Sequence, residues 1–113
     1  MGLDELIDEV LQISSRFSWI RDVEVKRFKG RLRIRLHLND SFVDVYYNLL
    51  KGVTSFAYIE DGCRLFGANN IRIGWHLHPF GRTEEHVPIC SISLKEFLEM
   101  LESELKKRGK LGC

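Results

Sequence analysis

The chain has 113 residues, 44% hydrophobic and 29% charged, the mixture of one globular domain rather than of a disordered tail. Its formal net charge is +1, so no global field gathers polyanions, and no apolar run approaches the length of a membrane span. Cys63, Cys90 and Cys113 are widely spaced without a CxxC, and the opening Met1-Gly2-Leu3-Asp4-Glu5 is acidic, so the expectation is free thiols, no secretory leader and a cytoplasmic protein.

Over residues 3–17, Leu3, Leu6, Ile7, Val10 and Leu11 recur at three- and four-residue steps, which predicts an amphipathic helix with Asp4 and Glu5 in its first turn. The period then falls to two. Val23 and Val25 alternate with charged residues, Lys29-Gly30 reads as a two-residue turn, and Arg31 to Leu38 puts basic residues on one face and Leu or Ile on the other. Taking Asn39-Asp40 as the next turn sets a register. Leu36 then faces Val43, Ile34 faces Val45 and Leu32 faces Tyr47, while Arg35 meets Asp44 and Arg33 meets Tyr46 on the other side.

Residues 54–60 and 63–66 read as a hairpin around Asp61-Gly62, and residues 71–78 as a sixth strand that Pro79 stops. Residues 79–88 read as a loop. Ser93 with Glu96 forms a capping box, and Leu94, Phe97, Leu98, Leu101 and Leu105 form one apolar stripe that ends at Gly109. The expected architecture is a single α+β domain over residues 1–113. It is a six-stranded antiparallel meander flanked by an N-terminal and a C-terminal helix, in the order αββββββα.

Three of the four histidines, His76, His78 and His86, fall within residues 76–86. On a continuous strand Arg72, His76 and His78 share a face, and a loop after Pro79 can return Glu84 or His86 toward them. Two chemistries fit. Two or three imidazoles can hold a divalent metal with an open position. Without metal, one imidazole can take a proton from an attacking hydroxyl and another give one to the leaving oxygen, while Arg72 or Arg82 neutralises a phosphate. The bland alternative is an exposed histidine pair at a strand end. Arg33, Arg35 and Tyr46 make a candidate binding floor for phosphate and base, or a solvated face with ordinary ion pairs.

From Leu32 to about Leu101 the chain resembles the TumE-type family of small toxins from bacterial and archaeal toxin–antitoxin systems. The resemblance rests on the basic hairpin, Phe56-Ala57-Tyr58, Phe66 with Asn69, His76-Leu77-His78-Pro79-Phe80-Gly81, Val87-Pro88 and the final helix. The family's Asp-Asn after the aromatic is absent here, so no role of that Asp carries over. The resemblance implies a cytoplasmic toxin with an antitoxin partner. Cleavage of RNA is an extension from the histidines. The resulting expectation is a metal-independent ribonuclease without cofactor, with His76 and His78 as acid–base pair and His86 or Glu84 in support. Arg72 would meet phosphate, and Arg33, Arg35, Tyr46 and Arg82 would bind substrate. The alternatives are a His/Glu metal-binding protein and a non-enzymatic interaction module, with homodimerisation open.

Overall fold

The computed structural model describes residues 2–72 and 74–111. Among them are helices α1 (Leu3–Ser14) and α2 (Leu94–Lys107). The strands are β1 (Asp22–Phe28), β2 (Arg31–His37), β3 (Ser41–Asn48), β4 (Val53–Glu60), β5 (Cys63–Asn69), β6 (His76–His78) and β7 (Val87–Pro88). All seven join one antiparallel sheet in chain order, β1 to β7. The α+β class and the meander follow the expectation; the strand count is seven rather than six.

The register set by Asn39-Asp40 is present residue for residue: Leu36 faces Val43, Ile34 faces Val45, Leu32 faces Tyr47 and Arg35 faces Asp44. Asp61 (φ 52°) and Gly62 (φ 74°) both take the left-handed conformation that a tight hairpin of this hand requires.

One sheet face is dry. Leu32, Ile34, Leu36, Val43 and Val45 are fully buried there with Phe56, Tyr58, Phe66 and Ala68, against Val10 of α1 and Phe97, Leu98, Leu101 and Leu105 of α2. The Phe97 ring lies 5.4 Å from that of Phe56 and 5.2 Å from that of Phe66. Helix α2 is closed at both ends. Ser93 and Glu96 exchange the two capping-box hydrogen bonds. At the other end the N–H of Lys110 donates to Leu105 and that of Gly109 to Lys106, the paired bonds that satisfy the last carbonyls.

Three elements depart from the sequence reading. Helix α1 stops at Ser14, whose hydroxyl donates back to the Val10 carbonyl (2.6 Å), and a tight turn follows. The sixth strand is three residues long, because Asn70-Ile71-Arg72 turn away and Arg72 (φ 67°) and Gly74 (φ 93°) leave the extended region. The expected strand residue Ile73 lies outside the described residues. Finally, Val87–Pro88 pairs with β6 at the sheet edge, where proline's missing N–H costs no ladder bond.

Between β4 and β5, Tyr58 pairs with Phe66 and Ile59 with Arg64, leaving Leu65 as an extra residue. This bulge reverses the alternation. Without it Arg64 would share the inward phase of Phe66 and Ala68; with it, Arg64 turns to the outward face.

Candidate functional site

Alternation and register place the site. Across the outward face one cross-strand row runs Glu24–Arg35–Asp44–Ala57–Gly67–His78. The next runs Lys26–Arg33–Tyr46–Ser55–Asn69–His76. The histidines of β6 and the arginines of β2 therefore lie on the same side of the sheet, opposite the helices.

Residues 79–86 fold back over β6 and bring His86 to the pair. The ring centroids of His76, His78 and His86 are separated by 5.0, 5.2 and 4.7 Å. One ring nitrogen from each lies within 4.8 Å of the other two. His76 and His78 are buried, at 6% and 3% exposure, whereas His86 is exposed.

Main-chain carbonyls orient the two buried rings. Nδ1 of His76 lies 3.0 Å from the Gly74 carbonyl, and Nδ1 of His78 lies 2.8 Å from that of Thr83. A carbonyl only accepts, so each Nδ1 carries the hydrogen and each neutral ring keeps its lone pair on Nε2. Asn69 is buried beside them. Its Oδ1 accepts from the Ile71 N–H (3.0 Å), which turns its amide nitrogen toward Nε2 of His78 at 3.5 Å.

Arg64 brings a fixed positive charge. Its Nη2 is 3.4 Å from Nδ1 of His78, a nitrogen whose hydrogen is already committed to Thr83, so Arg64 acts through charge there rather than by donation. Gly67 clears its path: a Cβ at that position would stand 3.3 Å from Cδ of Arg64 and 3.1 Å from the Phe56 carbonyl. Burial holds the His78 pKa below the ordinary histidine value, and Arg64, His86 and His76 push the same way against the Thr83 hydrogen bond.

Arg64, Asn69, Ile71, Arg72 and the three histidines line one open pocket of about 840 Å³. No carboxylate is among those lining residues.

Of the residues singled out from the sequence, the fold gathers His76, His78, His86 and Arg72. Arg72 arrives from an exposed turn rather than along the histidine strand, which corrects the expected strand geometry. Glu84 is an exposed turn residue outside the pocket lining. Arg82 pairs with Glu85 (3.2 Å) and lines a different pocket, beside Phe80 and Arg108. Arg33 and Arg35 on β2 and Tyr46 on β3 share the face but lie four and three strands away.

Sequence reasoning missed Arg64, and it named Asn69 only within the family resemblance, without a role at the site. A signal for Arg64 was present: strict alternation back from Ala68 and Phe66 assigns this arginine to the core, which a lone charge does not tolerate without a partner, so a bulge is required.

Cys63 and Cys90 are free and exposed, and Cys113 lies outside the described residues. Among the described residues, no helix is long and apolar enough to cross a membrane. Compared with protein-family models, curated proteins and solved structures, the chain finds no match.

Proposed function

We propose that His76, His78 and His86 hold a divalent transition-metal ion, zinc foremost, with a further position open to water or an anionic substrate. The observation that carries this reading is the convergence of three imidazoles, two of them held by main-chain carbonyls on Nδ1. That outer hydrogen bond fixes the tautomer with its lone pair on Nε2, which in His78 an ion would take from the long Asn69 contact. Tetrahedral zinc bonds of about 2.0–2.1 Å require nitrogens roughly 3.4 Å apart. The present spread of up to 4.8 Å closes by small ring movements, for which the exposed His86 has freedom.

Such an ion acidifies a bound water and polarises a phosphoryl or carbonyl oxygen. Arg64 and Arg72, with no carboxylate in the lining, favour an anionic group there. Zinc titration against a chromophoric chelator should give one ion per chain, weakened at least about 10-fold by His76→Ala, His78→Ala or His86→Ala. Undiminished binding in all three variants would falsify the reading.

A second reading draws on the two arginines beside the imidazoles: metal-free acid–base cleavage of an RNA phosphodiester, in the toxin-like role that the sequence resemblance implies. It expects RNA cleavage that persists with chelator, and slowed growth on induced expression that His78→Ala relieves. Intact RNA and unaffected growth would sink it.

A further inference from the structure

We infer that the outward face of the sheet is a docking track for single-stranded RNA, running from the arginines of β2 to the histidine cluster on β6. Its end point rests on the functional reading above; the track itself stands on the sheet face alone.

Three consecutive outward arginines of β2 each cover an aromatic ring. Arg31 lies over Phe28 at 5.2 Å, Arg33 over Tyr46 at 5.0 Å and Arg35 over Phe42 at 4.6 Å. A guanidinium over an aromatic ring is partly dehydrated, and its N–H edge remains able to donate to a phosphate. Phe28 is 47% exposed, a large apolar surface at the head of this row.

Past β3 the side chains shrink. Ser55 and Ala57 carry the two rows across β4, so the face is low there, and on β5 the Arg64 stem covers Gly67 beside Asn69. Arg64 and Arg72 then supply positive charge at the far end. From β2 to β6 is four strand spacings, about 19 Å at about 4.8 Å each. That is roughly the length of five stacked nucleotides.

Charge complementarity selects the occupant. On the first four residues of each row the cations Lys26, Arg33 and Arg35 face Glu24 and Asp44. Asp44 is held 3.6 Å from Arg33, and Glu24 contacts Lys26 (3.8 Å) and His37 (3.2 Å). The acids are thereby neutralised locally, while Arg31 and Arg35 keep their charge for an outside anion. The hydroxyls of Tyr46 and Ser55 along the floor suit a ribose 2′-hydroxyl, which favours RNA over DNA. A duplex, whose bases are stacked inward, cannot use the arginine-covered rings.

The test is fluorescence anisotropy with a labelled oligouridylate of about 12 nucleotides, on metal-free His76→Ala protein with chelator present. Loss of the metal site then leaves the readout untouched. Arg31→Ala with Arg35→Ala, the two arginines not committed to an acid, should weaken binding at least about tenfold and flatten its salt dependence. Phe42→Ala should weaken it roughly tenfold without changing the charge. The single exposed change Arg31→Ala, tested alongside, guards against misfolding of the pair. Lys106→Ala with Lys107→Ala, on the helix side, should leave affinity unchanged. No measurable binding, equal affinity for duplex, or an equal loss from the Lys106/Lys107 pair overturns the track. A deoxyribose strand that binds as tightly overturns the choice of RNA.

Discussion

The Thr83 carbonyl accepts the Nδ1 hydrogen of His78 at 2.8 Å, across the turn that begins at Pro79. One hydrogen bond thus does two things. It closes residues 79–86 over β6, and it leaves Nε2 of a buried imidazole as the lone-pair nitrogen.

Burial and neighbouring cations keep His78 neutral, so its titration should lie below the ordinary histidine value. The sign for stability follows. On acidification the unfolded chain takes up this proton first, near pH 6.5, while the folded chain resists it. Stability should therefore fall as pH drops from about 6.5 toward the folded-state pKa, and be fully present above that window. Histidine-selective NMR titration checks the midpoint, which at or above the free value would contradict the burial argument. Urea unfolding across the window should show a smaller pH slope in His78→Gln.

Gly67 is required by its neighbours rather than by its backbone angle. An added methyl meets the Phe56 carbonyl and the Arg64 stem. Gly67→Ala should cost about 1–3 kcal/mol, the range for overpacking a filled site. In an Arg64→Ala background the cost should shrink, because one of the two contacts is gone. Denaturant midpoints of the four chains in this cycle report the coupling; additive losses would mean that Arg64 does not lie over Gly67.

The fold was largely legible because its determinants are local. Two-residue turns fix register, and alternation then assigns each face, as Arg33–Tyr46 and Leu36–Val43 demonstrate. The site was half legible. His76 and His78 share a face by period alone, and a two-residue step survives the shortening of β6. Arg64 was not found, since a single extra residue in β5 reverses its direction, and periodicity averages over such an insertion. Thr83 escaped for another reason: its contribution is a carbonyl, which no side-chain pattern records. Whether the β2 arginines adjoin the histidines was a question of strand order: register puts both on the outward face, and the meander sets them four strands apart.

Phe97 is the part of α2 most firmly locked to the sheet, fully buried between Phe56 and Phe66. Phe97→Ala should cost about 3–5 kcal/mol, because the cavity between two fixed rings cannot collapse easily. Phe97→Leu, which keeps most of the volume, should cost much less. Chemical denaturation measures both. A loss below about 1 kcal/mol for the alanine variant would mean that the helix repacks over the gap.

Arg72 holds a left-handed backbone conformation, φ 67°, that a long side chain rarely adopts, and it does so in the wall of the histidine pocket. The left-handed region costs a non-glycine residue about 1–2 kcal/mol. Glycine adopts it freely but loses more chain entropy on folding, by roughly 0.5–1 kcal/mol. Arg72→Gly should therefore stabilise the fold slightly, by up to about 1 kcal/mol, while removing a cation from the pocket. If the pocket takes an anion, the same variant should weaken binding of inorganic phosphate to the zinc-loaded protein. Arg72→Ala should weaken it equally without the gain in stability, since alanine keeps the backbone cost. Isothermal titration and thermal unfolding on the three chains separate the two effects. A variant that gains stability with phosphate binding intact would show Arg72 to be a turn residue without a part in the pocket's chemistry.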